Sequence, residues 1–208
     1  MYIINASYFN GKLSIDNINE SNNAISEEVE LYVDEKVRLL LQNVLGVVLF
    51  AEFNGYVVNG VLPNTAPQKW IDLVNGKTYT EDDKTYKWNG LIYSEGLMKK
   101  SLLADFVYHE WRTDKLLKEV VIDPKNATVT NQNSFLVDVW NGFLNQYQDG
   151  YNECFVKANL ITRDCIEIEN HYKDNVSLLR FLKDKETDYP NAKLYVFPNA
   201  TYSNSLGI

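Results

Sequence analysis

Apolar residues recur at three- and four-residue spacing from Val33 through Val37, Leu40, Leu41, Val44, Leu45, Val48 and Leu49, a wide stripe that predicts an amphipathic helix over about residues 27–53. Ser26 stands where a cap is needed, and Glu27, Glu28 and Glu30 suit the positive end of the helix dipole. Gly46 interrupts the stripe at a cost of roughly 1 kcal/mol relative to alanine, so either a neighbour packs closely there or the helix bends. A short helix is expected over Gln68–Val74, with Thr65 and Gln68 as a capping box, Pro67 in the first turn and Gly76 closing the end. Lys77–Glu81 and Lys84–Trp88 read as a hairpin across Glu81-Asp82-Asp83. Further helices are expected over about 91–114, 135–148 and 176–185, with a loop or short strand pair over 119–133 between the first two. Ile166-Glu167-Ile168-Glu169 alternates like a strand.

At the start of the chain, Tyr2-Ile3-Ile4 and Tyr8-Phe9 lead into Asn10-Gly11, and Lys12–Ile15 leads away. That pattern predicts a β-hairpin over residues 2–18 turning on Asn-Gly. The whole reads as a mainly α (α+β) protein, a bundle of three to five helices with hairpin and extended-arm additions. Its organisation is a hairpin arm and linker over 1–25, a helical core over 26–188 with a hairpin inserted near 77–88, and an extended tail over 189–208.

Composition narrows the function classes. The 208 residues carry 20 Lys and Arg against 28 Asp and Glu, a net charge of −8. Clustered cations, which phosphate-contacting surfaces need, are absent, so DNA binding of the ordinary kind is not expected. No apolar run of about 18 residues and no basic-then-apolar leader occur, so neither a transmembrane helix nor a secretory signal is expected. Cys154 and Cys165 fit a reducing compartment. Four glycosylation sequons, at Asn5, Asn126, Asn175 and Asn199, are the number chance supplies in a chain so rich in Asn, Ser and Thr.

Chemistry finds no anchor. His109-Glu110 begins a zinc-protease pattern, but Thr113 stands where the second histidine belongs. A hydrogen-bonded helical histidine is the expectation. His171 with Cys154 or Cys165 is the remaining nucleophile–base combination, and Glu167 with Glu169 reads as the wet face of a strand. Phosphate-loop, dinucleotide and nucleophile-elbow motifs are missing, as are zinc and calcium spacings. No catalytic, cofactor or metal residue is assigned. Trp70, Tyr79, Tyr86 and Trp88 crowd one short stretch, either as a stacking platform for carbohydrate or as packing that seals a helix–hairpin junction. The second expectation is preferred, because Trp and Tyr bury large area with one polar handle.

Several segments recur in a familiar order: Leu31-x-Val33-Asp34 with Leu45-Gly46 and Phe53; Trp70-x-x-Leu73-x-x-Gly76-x-x-Tyr79; Tyr86-Lys87-Trp88-x-Gly90-Leu91; Asp105-Phe106-Val107-Tyr108; Trp140-Asn141; and Asn204-Ser205-Leu206-Gly207-Ile208. In this order the chain resembles the neck, or head–tail connector ring, proteins of tailed bacteriophages infecting Bacteroidetes, crAss-like phages among them. The resemblance covers about residues 30–112 and, more loosely, the last third; the N-terminal arm departs from it. It implies a non-enzymatic virion component without cofactors, made in the host cytoplasm and built into the neck. There it would form a ring, often twelvefold, against the portal and other neck or tail proteins, with DNA passing through the lumen and no membrane contact. An aromatic-lined carbohydrate-binding module is the alternative, and a small hydrolase with an unfamiliar motif stands third.

Overall fold

The computed structural model describes residues 3–16, 18, 24–81, 83–122, 129–148 and 175–197. Within them the chain is α+β, with five α-helices and two small antiparallel hairpins. Helix α1 (Ala24–Tyr56) is the spine. It is followed by α2 (Gln68–Asn75), hairpin β1 (Lys77–Glu81) and β2 (Lys84–Trp88), and hairpin β3 (Tyr93–Glu95) and β4 (Met98–Lys100). Helices α3 (Leu102–Ile122), α4 (Val129–Tyr147) and α5 (Leu178–Asp184) complete it. The apolar stripe of α1 predicted from spacing is its buried face: Val33, Val37, Leu40, Leu41, Val44 and Leu45 are all enclosed, packed chiefly against α3. Val48 is the exception, at 82 % exposure. It follows Gly46, where the backbone leaves helical geometry at φ 78°, ψ 164°, so the stripe changes direction past the kink. The bend frees the Val44 carbonyl, which accepts from Leu194 N at 3.1 Å, while the Lys193 side chain lies over Gly46. By length and mean hydropathy α1 is apolar enough to cross a membrane, although half of its most apolar window is buried inside the protein, as in a core helix.

Several expectations are corrected. Residues 3–16 form no hairpin; they make two 3₁₀ turns, Ala6–Tyr8 and Gly11–Leu13, the first capped by the Asn5 side chain on Ser7 N. Nor is this segment an appended arm. Ile3, Ile4, Phe9, Leu13, Ile15 and Ile18 are all buried in the common core, so their alternation reflects anchoring points along an irregular segment. Tight turns bring those side chains to one side without a partner strand.

Next, residues 91–101 are not helical. Tyr93 pairs with Lys100 and Glu95 with Met98 around a Gly96-Leu97 turn, and Gly96 takes the positive φ that a two-residue hairpin turn demands. Helix α3 begins only after Ser101, whose hydroxyl accepts from Leu103 N at 3.1 Å and donates to the Leu91 carbonyl at 2.7 Å. Most of the expected 119–133 loop is also helix: α3 runs to Ile122 and α4 starts at Val129.

Finally, the Thr65–Gln68 capping box does not form. The cap position is Pro67, whose carbonyl accepts from Trp70 N and Ile71 N. The tail, expected to be extended from Tyr189, instead turns at its start, where Ala192 N donates to the Tyr189 carbonyl at 3.3 Å, and as far as Phe197 it packs inward. Phe197 meets Phe106, Trp140, Phe143 and Tyr147, and its backbone bonds the Gln148 side chain. The expected strand at 166–169, and the rest of the tail, lie outside the described residues.

Candidate functional site

The crowded aromatics form one interlocked block. In sequence, Asn75-Gly76 ends α2 and Asn89-Gly90 ends β2; in space the two turns cross in backbone contact. A side-chain carbon on Gly76 would stand 2.5 Å from the Trp88 carbonyl oxygen, and one on Gly90 2.5 Å from that of Val74. Both glycines also hold positive φ, 88° and 98°. No other residue type fits either place. The crossing aligns Leu91 N on the Leu73 carbonyl at 3.1 Å and Ile92 N on that of Val74 at 3.0 Å.

Around this crossing the rings close ranks. Trp70 is fully buried between Phe53 (centroids 5.2 Å) and Tyr189 (5.6 Å), and the Tyr189 hydroxyl donates to the Lys69 carbonyl. Trp88, 2 % exposed, stacks on Phe181 of α5 at 5.6 Å and 17°, and its indole N–H donates to the Leu73 carbonyl at 2.9 Å. Tyr79 sets its edge to Phe181 and donates to Asp184 Oδ2 at 2.8 Å; burial, then that carboxylate, pushes its pKa well up. Arg180 covers the Tyr86 ring at 5.2 Å while pairing with Asp184.

A polar cleft of about 540 Å³ runs beside the block, lined by Asn75, Lys77, Thr78, Asn89, Tyr93 and Ser94 among others. Trp88 borders it, but with 2 % of its surface in solvent it offers no ring face for a sugar to stack on. The four aromatics are packing.

Other candidates separate. The His109 ring lies 4.6 Å from Trp140. Its Nδ1 is 3.5 Å from Glu110 Oε1, a long and weak contact, and has no other hydrogen-bond partner among the described residues; the close packing of the ring is with Trp140. That imidazole, with Lys36 Nζ at 3.6 Å, holds the Glu110 carboxyl below its ordinary range. At the acidic turn, Glu81 pairs with Lys185 at 3.6 Å. Among the described residues no group of three or more His, Cys, Asp or Glu is placed to hold a metal ion. Cys154, Cys165, His171, Glu167 and Glu169 lie outside the described residues.

Two features escaped the sequence reading. One is a polar relay across β3, α4 and α3: Tyr93 OH donates to Gln146 Oε1 at 3.1 Å, and Gln146 Nε2 donates to Asp105 Oδ2 at 2.8 Å. Burial pushes the Asp105 carboxyl up to about 6, against the opposing pull of Gln146, Lys100 and Lys12. The other is an apolar groove of about 500 Å³ between the N-terminal segment, one flank of α1 and residues 59–64, walled by Ile4, Val29, Val33 and Leu62. Glu30, Lys99 and several Asn side chains also line it. Val58 and Val61, joined by reciprocal backbone bonds across a tight turn, are 59 % and 65 % exposed, and Leu97 at the β3–β4 tip is wholly so. A Gly-Leu pair between two short alternating runs was the legible signal for that tip. No family model, curated protein or solved structure matches this chain.

Proposed function

We propose that the chain is a structural subunit of a tailed-phage neck, assembling as an oligomeric ring that joins portal and capsid to tail. The observation that carries this reading is the exposure of large apolar side chains, Val58, Val61 and Leu97 among them, with Val61 lining an open groove, on a chain of net charge −8. Soluble proteins rarely leave a large contiguous apolar surface in water unless another protein covers it. The ordered motifs that resemble connector proteins add support. Trp70, Leu73, Gly76, Tyr79, Trp88, Gly90 and Leu91 belong to one packed block, which gives the motif a structural reason to persist as a unit.

Repeated around a twelvefold ring, the acidic balance makes a negative collar. DNA meeting like charge in the lumen would pass without adhering, the reverse of counterion-release attraction. Electron microscopy of the purified chain, alone and with a portal protein, tests the proposal. Closed rings with an open lumen, seated on the portal, are the expected result. A single copy that joins no virion part and turns over a small molecule overturns it, and a basic lumen removes the DNA-passage element alone.

A further inference from the structure

Six of the ten glycines follow an asparagine: Gly11, Gly55, Gly60, Gly76, Gly90 and Gly142. An Asn-Gly pair can close on itself, because no side chain shields the glycine nitrogen from the asparagine side-chain carbonyl beside it. The fold restrains all but one of these pairs. Gly55 and Gly142 lie inside α1 and α4, where the helix aims each amide N–H along its axis and away from the preceding side chain. Gly76 N donates to the Asp72 carbonyl at 3.0 Å. The Asn89–Gly90 peptide is wedged in the backbone crossing: a side-chain carbon on Gly76 would stand 2.6 Å from the Asn89 carbonyl carbon, and one on Gly90 2.6 Å from Gly76 N. Asn10 has its amide tied, with Nδ2 donating to the Ser7 and Lys99 carbonyls at 3.0 Å each.

Asn59-Gly60 is different. It is the two-residue turn between Val58 and Val61, with φ of 50° and 78°, and Asn59 is exposed. Neither the Asn59 side chain nor Gly60 N has a hydrogen-bond partner among the described residues. The turn is closed by the reciprocal Val58–Val61 bonds of 2.9 and 3.0 Å, an isolated bridge outside either hairpin. Rotating Asn59 about its Cα–C bond, to bring Gly60 N against its own side chain, breaks that one surface bridge, an opening of low cost. We infer that Asn59 is a self-modifying site, deamidating in the folded chain ahead of the other Asn-Gly pairs. Gly60 N loses its proton and bonds to Asn59 Cγ; the Cγ–Nδ2 bond breaks, and Nδ2 takes up a proton and leaves as ammonia. Water then opens the cyclic imide, at Cγ to give aspartate or at the Asn59 backbone carbonyl carbon to give isoaspartate, whose main chain runs through Cβ and Cγ. Either product sets a carboxylate between two exposed valines, at the groove that Asn59 and Glu30 line. Isoaspartate also adds a methylene to a turn whose bridge fits two residues.

Incubating the purified full-length chain at mildly alkaline pH, folded and in parallel unfolded in urea, tests this by peptide mass spectrometry. Fragmentation separates Asn54 from Asn59 on their shared peptide, and isoaspartate-selective methylation separates the products. In the folded chain Asn59 should convert roughly tenfold or more faster than any other Asn-Gly asparagine, because the others must first lose a helical turn, the crossing or their side-chain bonds. Unfolding should bring the rates together. The folded-state rate should rise with pH, since the attacking nitrogen must give up its proton. Ion exchange should resolve a more acidic species that melts close to the unmodified protein, because Val58 and Val61 lie outside the core. Asn59→Gln, which would have to close a larger ring, should keep the fold and remove the fast acidic species. A folded chain in which Asn54, Asn75 or Asn89 converts first overturns the assignment. So does an Asn59 that folding slows as strongly as it slows the rest, or a fast acidic species that survives Asn59→Gln.

Discussion

Trp88 offers the sharpest separation between packing and binding. Its indole is 2 % exposed, stacked on Phe181 and hydrogen-bonded to the Leu73 carbonyl. Truncation to alanine removes a large buried ring beside a backbone crossing that cannot collapse, because Gly76 and Gly90 already touch carbonyl oxygens; the expected cost is about 3–5 kcal/mol. Trp88→Phe is a different perturbation. It keeps an aromatic face against Phe181 and loses the hydrogen bond. The Leu73 carbonyl is not orphaned, since Leu91 N still donates to it at 3.1 Å. The expected loss is therefore the net value of one hydrogen bond plus a small void, about 1–2 kcal/mol. For a chain of this size 1 kcal/mol moves the melting temperature by roughly 2–4 °C. Thermal and urea unfolding followed by circular dichroism should place Trp88→Ala about 6–20 °C below wild type and Trp88→Phe about 2–8 °C below. A Trp88→Ala protein that melts with wild type while losing affinity for a glycan would refute the packing argument and restore the carbohydrate module.

Other perturbations follow from the same geometry. Gly90→Ala meets both a positive φ and a carbonyl 2.5 Å from the new carbon, so urea midpoints should report a loss of about 2–4 kcal/mol or no soluble protein. Gly55→Ala, in the last turn of α1 with nothing near the added carbon, should instead be neutral or gain up to about 1 kcal/mol. Asp105, with its folded pKa raised to about 6 from 3.8, binds its proton more tightly folded than unfolded. Stability should thus fall as pH rises from about 4 to 6, by up to roughly 3 kcal/mol at 1.36 kcal/mol per pKa unit. Asp105→Asn should flatten that limb in pH-dependent melts, and an unchanged slope would count against the buried carboxyl. Deleting residues 1–18 removes six buried apolar residues at about 1.5–3 kcal/mol each, comparable to a domain's whole stability, so loss of far-ultraviolet helicity is expected rather than a folded, assembly-deficient chain.

Local signals were strong enough to read the middle of the molecule from sequence. The α1 stripe, α2 with its Gly76 stop, the β1–β2 hairpin, and helix at α4 and α5 all depend on period or turn chemistry contained in short windows. Burial of Trp70 and Trp88 was legible too, because large aromatics between helix-stop and hairpin signals need a core to fill. Where two readings competed locally, only the assembled structure chose. Residues 3–16 alternate as a strand would, but among the described residues no strand pairs with them, and turns deliver the same side chains to the core. Tyr93–Lys100 has enough apolar residues for a helix, yet pairing across Gly96-Leu97 and the Ser101 cap together favour a hairpin. The crossing of Asn75-Gly76 with Asn89-Gly90, the Asp105–Gln146–Tyr93 relay, and the groove between the N-terminal segment, α1 and residues 59–64 each join residues apart in the chain. Spacing along a sequence carries periodicity and turn preference, but contacts of that kind are decided by which faces the packed helices leave open.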